Sequence, residues 1–270
     1  MKALAYVQPI FAPDKLRFER NISSIQSMSD YLKENPYTDI EFHFGGWAKE
    51  EYWNEFIDLI SKEFAKYKFV IKKFNKNYGK AKVVNTLTKG IDSTYILTAD
   101  SDIIFMSDQL NLFERLIEFS DKCKELRGKP FGLVALNQVG QCCHLPCANQ
   151  NEVKYKNSFG NEEIIKYPNG KGCIAGGCIF FENKVWKEIG GYREMGVYAG
   201  DDAYFLIDLC DNGKCIQYMK SLYIIHPHES DPVYAKWKID VCQRDGGGKS
   251  KLDKRRIEEA NKFWDTHGKN

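Results

Sequence analysis

Apolar positions along the first hundred residues follow two spacings in turn, one of strands and one of helices. Leu4 to Gln8 reads as a strand. Between Arg17 and Lys33, Ile22, Ile25, Met28 and Leu32 fall close to helical spacing, and Asn35-Pro36 ends the run. Asp39 to Phe44 (DIEFHF) alternates as a half-buried strand does, and Gly45-Gly46 is expected to break it. Glu50 to Tyr67 places Trp53, Phe56, Ile57, Ile60 and Phe64 on one helical face. Phe69 to Phe74 reads as a strand, Lys80 to Lys89 as a helix closed by Gly90, and Tyr95 to Ala99 (YILTA) as a central strand.

The second half is less regular. Phe131 to Asn137 reads as a strand, and the polar, Cys-rich stretch from Gln138 to Gly172 as an excursion or small hairpin. Cys178 to Phe181 is expected to be a short strand, Lys184 to Ile189 and Asp201 to Leu209 helices, and Gln217 to Ile225 a last strand after a turn at Gly213. Leu252 to Thr266 reads as a C-terminal helix behind the loop Asp245-Gly246-Gly247-Gly248. Repeated strand–helix units imply an α/β fold, with a Rossmann-like, mainly parallel central sheet flanked by helices. Ligands bind such sheets beyond the carboxyl ends of the strands. The residues just after Gln8, Phe44, Phe74 and Ala99 are therefore the first candidates for a site.

Composition agrees with a folded chain. Of 270 residues, 43% are apolar and 28% charged, and the formal net charge of +2 sets up no global field that would demand nucleic acid. No apolar run approaches the ~20 residues of a membrane-spanning helix. The N-terminal stretch is too short, and too broken by Pro9 and Pro13, for a signal peptide, so a cytoplasmic protein is expected. Nine cysteines, an odd number, suit free thiols in a reducing compartment. Cys142, Cys143, His144 and Cys147 invite a zinc reading, but their spacing does not match paired C-x-x-C knuckles.

Three segments carry candidate chemistry. Asp100-Ser101-Asp102 follows the strand YILTA directly. Acids at i and i+2 beyond a strand end can face one hard divalent cation, which binds through one or two carboxylates plus substrate phosphates. An Asx-type turn explains the same acids without a metal. Upstream, Asn77-Tyr78-Gly79-Lys80-Ala81 sets a glycine between strand and helix, where backbone amides can approach a phosphate. An ordinary helix start with solvated lysines is the alternative. The third segment runs from Gly172 to Leu209. Gly176-Gly177 lets a group approach the backbone closely, and Asp201-Asp202 opens a helix. Adjacent acids there either cap the helix or supply a general base.

The order N-x-G-K-A, D-S-D after an apolar strand, A-G-G, G-G-Y and G-D-D-x-x-x-x-x-D-L resembles the family 2 type of glycosyltransferase with the GT-A fold, from about Leu4 to about His228. The resemblance implies a metal-dependent, inverting transfer from a nucleoside-diphosphate sugar, most often a UDP-sugar, to an acceptor hydroxyl, with Mn²⁺ or Mg²⁺ as cofactor. It implies that Asp102 is the main metal ligand and that Asp100 lies near the metal or the ribose. His226, or alternatively His228, would complete the metal shell. Asp202 would be the catalytic base, and Asp201 would hold acceptor hydroxyls. Pro9, Gly79, Lys80, Asn85, Asp100, Ser101, Gly176 and Gly177 are the expected donor-binding set. Arg244 and Lys249, in a Gly-rich loop, are expected to touch phosphate as a lid. One departure stands out: where the family commonly carries an acid that reads the base, this chain reads Phe44-Gly45-Gly46-Trp47.

One domain over 1–270 is expected, with a nucleotide-sugar half at 1–105, an acceptor-side, catalytic subregion at 106–232 and a C-terminal loop and helix at 233–270. Two other readings compete. A nucleotidyltransferase needs a basic, glycine-rich signature near the first strand, which Gln8-Pro9-Ile10-Phe11 does not offer. A transferase acting on modified nucleic acid would use the basic, aromatic C-terminus, with Lys236, Trp237, Lys238, Lys254, Arg255, Arg256 and Trp264.

Overall fold

The computed structural model describes residues 3–140, 150–168, 174–197, 201–227, 231–233, 236–237 and 240, with the exception of the Asp201 side chain. The expected C-terminal helix, the lid residues Arg244 and Lys249, His228 and the Cys142–Cys147 cluster lie outside these residues.

Strands β1 (Leu4–Ala12), β2 (Ile40–Ala48), β3 (Lys68–Lys73) and β4 (Tyr95–Ala99) alternate with helices α1 (Lys15–Glu34), α2 (Glu50–Glu63) and α3 (Lys80–Thr88). Then come α4 (Leu112–Arg127), β5 (Phe131–Gly140), the hairpin β6 (Gln150–Lys156) and β7 (Glu162–Pro168), β8 (Cys178–Glu182), α5 (Asn183–Ile189), α6 (Asp201–Asp211) and β9 (Cys215–His226). Among the described residues the strands form one sheet, in the order β3-β2-β1-β4-β8-β5-β9-β7-β6. The β3-β2-β1-β4 half is parallel throughout, as the repeated strand–helix units predict. Antiparallel β8 sits between β4 and β5, and the hairpin adds an antiparallel edge through β7.

Alternation along the strands assigns each face of the sheet to one set of helices. Leu4, Tyr6, Ile10, Phe42, Phe44, Tyr95 and Leu97 pack with Ile25, Met28 and Leu32 of α1, Phe56 and Ile60 of α2, and Leu116 and Phe119 of α4. Ala5, Val7 and Ile96 face the other way, onto Val84 and Leu87 of α3, Trp186 of α5, and Phe205 and Leu209 of α6. Helix α4 has no counterpart among the expected elements, although Leu112, Leu116, Phe119 and Cys123 fall at helical spacing.

Gly45 and Gly46 do not end β2, which runs on to Ala48. These glycines are needed for close strand approach rather than for a turn. A Cβ on Gly45 would meet Lys72 O at 2.7 Å, and one on Gly46 would strike the carbonyl of Ile10. The extension carries Trp47 one strand position beyond the pair.

The hairpin is anchored by a buried polar network. Arg115 of α4 donates two bonds to Glu163, Nε at 2.5 Å and Nη2 at 3.0 Å, while Asn157 Nδ2 donates at 2.6 Å and the Ser221 hydroxyl closes the set. A fork-to-carboxylate pair with its remaining oxygen positions bonded can stay buried at little net cost.

Candidate active site

The parallel strands end on one edge, and the acid-bearing turn begins there. Residues 96 and 98 of β4 face the α3–α6 layer, so Asp100, two further on, emerges on that same side. Its backbone N–H donates to Gly177 O at 2.6 Å, continuing the β4–β8 pairing past Ala99 and Cys178. Ser101, half-buried, lies in the turn between the two acids.

Asp102 is brought to His226 by a bridge two residues on. Ile104 N–H donates to Ile225 O at 2.9 Å, and Ile225 N–H returns a bond at 3.0 Å. His226 ends β9, and its Nε2 stands 3.2 Å from Asp102 Oδ1. The β5–β9 register shifts where Leu136 faces Met219 and Asn137 faces Tyr223, so the extra residues lie on β9, and His226 falls opposite Gly140.

Lys80 opens α3, and its ammonium links the acid turn after β4 to the start of α6. It lies 2.7 Å from Asp100 Oδ1 and 2.9 Å from Asp202 Oδ1, and donates to Gly176 O at 3.2 Å. Burial pushes the Asp100 carboxyl above the ordinary range. The Lys80 ammonium opposes that push, and the charges of Asp202 and Asp102 add to it.

Gly176 is a glycine because of Asp202. A Cβ there would lie 2.6 Å from Asp202 Cβ and closer still to its carboxyl carbon. Gly177 is crowded by the side chain of Gln138, which is 2% exposed and donates to Ala175 O at 3.3 Å. The close approach expected of a ligand at this pair is therefore made by the chain's own carboxylate and carboxamide. Gly176→Ala is expected to displace Asp202 and to cost about 1–3 kcal/mol of stability, as overpacking does. Urea unfolding of the variant beside the wild type checks this.

Two other expected donor residues also make contacts within the chain. At Gly79, φ is +83°, and Val197 Cα and O would lie 2.7 Å from a Cβ. The segment leading to α6 thus lies directly against Gly79. Asn85 spends its amide on the G-G-Y-R-E loop, with Nδ2 donating to Tyr192 O at 2.8 Å and Glu194 Oε1 at 3.0 Å, and Oδ1 accepting from Tyr192 N–H at 2.9 Å. Tyr192 itself is buried between Trp186 and Phe205. Arg193 grips Asp208 of α6 with Nε at 3.0 Å and Nη2 at 2.5 Å. The motif's glycines and acids thereby fix where α6 starts, and with it Asp202. Pro9 is buried in β1, on the same face as Asp100 and two residues beyond Val7, which pairs with Thr98.

Among the described residues no group of three or more His, Cys, Asp or Glu side chains is placed to hold a metal by itself. Asp102 and His226 offer one oxygen and one imidazole nitrogen. That set fits a Mn²⁺ or Mg²⁺ ion which takes its remaining ligands from substrate phosphates and water.

No family model and no curated protein sequence matches the chain. Solved structures do. The Staphylococcus aureus protein TarS, residues 1–349 in complex with UDP-GlcNAc, superposes with a TM-score of 0.61 at 9% identity, over 97% of this chain and 71% of that one. The mannosyltransferase PcManGT from Pyrobaculum calidifontis, in complex with GDP-Man and Mn²⁺, gives 0.58 at 12% identity, over 97% and 70%. GalNAc-T7 with UDP, GalNAc and Mn²⁺ gives 0.59 at 11% identity, over 98% and 55%. The chain has the GT-A fold. In GT-A terms the β3-β2-β1-β4 half is the Rossmann-like part, and β8, β5, β9 and the hairpin continue the sheet beyond it. No helix among the described residues is long and apolar enough to cross a membrane.

Proposed function

We propose that the chain is a glycosyltransferase that moves a sugar from a nucleoside-diphosphate sugar to an acceptor hydroxyl, with inversion and with a divalent ion. The observation that carries this reading is the single cleft edge at which Asp100, Asp102 and His226 stand on one side and Asp202 on the other, with Lys80 between. Structures of the same fold are solved with UDP-GlcNAc and GDP-Man, and two of them with Mn²⁺. These support a nucleotide sugar as donor and Mn²⁺ as metal.

In this reading Asp202 Oδ2 takes the proton of the acceptor hydroxyl, and the freed oxygen attacks the anomeric carbon from the face opposite the departing diphosphate. Gly176 leaves the room in which Asp202 sits, and Lys80 fixes its Oδ1. An ion held by Asp102 and His226 would supply charge neutralisation at the diphosphate. Asp100, bonded to Lys80, keeps that ammonium at the mouth of the donor site, where it faces phosphate. Asp201 as a holder of acceptor hydroxyls, His228 as an alternative ligand, and Arg244 and Lys249 as a phosphate lid remain parts of the proposal that lie outside the described side chains. So do Lys238, Lys254, Arg255, Arg256 and Trp264, on which a nucleic-acid acceptor would rest.

A panel of nucleotide sugars with Mn²⁺, scored for binding and for slow donor hydrolysis, tests the reading. At least one donor is expected to bind and be hydrolysed, and EDTA is expected to weaken the binding strongly and to abolish the hydrolysis. Binding of nucleoside triphosphates with pyrophosphate release, and no sugar donor bound, would point to nucleotidyl transfer instead.

A further inference from the structure

At the end of the sheet away from the hairpin lies a strand edge rich in lysine. From Phe64 to Ile91 the chain carries eight lysines and neither an acid nor an arginine. Outside this stretch acids outnumber bases, so the net charge of +2 conceals it. β3 falls within the stretch and, among the described residues, pairs with β2 alone, which leaves its other edge open.

Lys66, Lys68, Lys72, Lys73 and Lys76 are all exposed. Glu41 takes up Lys68 at 2.6 Å, and Glu50 takes up Lys73 at 2.5 Å. Lys66, Lys72 and Lys76 have no acid within ion-pair distance among the described residues. Each stands instead over an aromatic ring of its own segment, Tyr67 at 5.0 Å, Phe74 at 5.7 Å and Tyr78 at 4.9 Å. Val70, on the same face of the strand as Lys72, is 43% exposed. Charges on an edge strand keep other strands from pairing with it, which accounts for Lys68, Lys72 and Lys73. It does not account for Lys66 and Lys76, which lie off the strand, nor for the lack of acids over the whole stretch.

We propose that this lysine rim docks the protein reversibly onto an anionic lipid surface. Ammonium groups on flexible stems suit a fluid layer of phosphates whose positions are not fixed, and lysine clusters are drawn to the negative potential of such a layer. The fixed phosphates of a nucleic acid favour the guanidinium fork, which this stretch lacks. Aromatic rings and an exposed valine among the charges suit the boundary between headgroups and acyl chains. A dissolved polyanion offers them nothing. The stretch continues to Lys80, which contacts Asp100 and Asp202, so docking brings the cleft beside the lipid surface. The inference goes beyond the transfer reading and does not depend on it, since docking needs neither donor nor metal.

Sedimentation of the full chain with vesicles of phosphatidylcholine alone, and with phosphatidylserine added, tests this. The chain is expected to bind the anionic vesicles, to leave the neutral ones in solution, and to be released by high salt. Each lysine near such a surface is worth about fivefold, so Lys66→Gln, Lys72→Gln and Lys76→Gln together are expected to weaken binding about a hundredfold. Lys15→Gln, Lys154→Gln and Lys184→Gln remove the same charge from exposed positions elsewhere. They are expected to cost less than about threefold, because charges far from the contact are screened. Circular dichroism shows that both variants fold. No binding by the wild type, equal binding to neutral vesicles, or equal affinity of the two triple variants would overturn the proposal. Binding of a DNA duplex that only the first variant loses, without vesicle binding, would overturn it in favour of nucleic acid. Donor binding is measured apart from all of these, so the transfer reading stands or falls separately.

Discussion

Asp202→Asn is expected to bind a nucleotide-sugar donor as the wild type does and to transfer its sugar 10²- to 10⁴-fold more slowly, the usual worth of a positioned general base. The carboxamide keeps the shape of the carboxylate, so it fits the space that Gly176 leaves and still offers an oxygen to Lys80 Nζ. What it loses is the ability to take a proton. Lys80 keeps its ion pair with Asp100, and Asp102 and His226 are unaltered, so donor affinity is expected to change by about fivefold or less, the worth of one partly exposed ion pair. Calorimetry with the donor and a transfer assay on the same preparation separate the two effects. Wild-type transfer by Asp202→Asn would remove the base from the mechanism. Loss of donor binding would mean that Asp202 helps to hold the donor.

The acids of this site are legible in the sequence because the turn that carries them is local. Tyr95–Ala99 is buried throughout, and a strand that ends in D-S-D must deliver its acids at the sheet edge. His226 is legible for the same reason, at the end of the last strand. The fold class was equally open: alternating periods over the first hundred residues imply the parallel pairing that β1 to β4 adopt, though not their order.

What stayed hidden depends on distant packing. Nothing near Gly79 in sequence says that residues 196–197 will cover it, and nothing near Asn85 says that its amide will hold a loop a hundred residues away. Gly45-Gly46 reads as a break because glycine serves turns and tight strand approach alike, and only the neighbouring strands decide. Lys80, by contrast, had a solvated lysine as its local alternative, yet it lies between two acids contributed by β4 and α6.

Asp102→Asn should separate metal-assisted binding from the rest of donor recognition. Asp102 and His226 contribute two ligands, too few to hold a hard divalent ion tightly without substrate oxygens. Metal and donor should therefore bind together: Mn²⁺ alone weakly, and the nucleotide far more tightly with Mn²⁺ than with EDTA. Replacing the carboxylate by a neutral carboxamide removes the one anionic ligand of the pair. The Mn²⁺-dependent gain in nucleotide affinity is then expected to fall by about a hundredfold, the upper end of a strong coupling between two ligands. Residual binding should match that of the wild type in EDTA, because Lys80 is untouched. His226→Gln keeps the charge and loses the imidazole, so its loss should be smaller, about tenfold. The ordering matters more than either figure. If His226→Gln costs more than Asp102→Asn, the imidazole is the principal ligand and the carboxylate mainly orients it through their 3.2 Å contact. If neither changes the Mn²⁺ dependence, the ion is held elsewhere, and the pairing of Asp102 with His226 serves only to tie the acid turn to the end of β9.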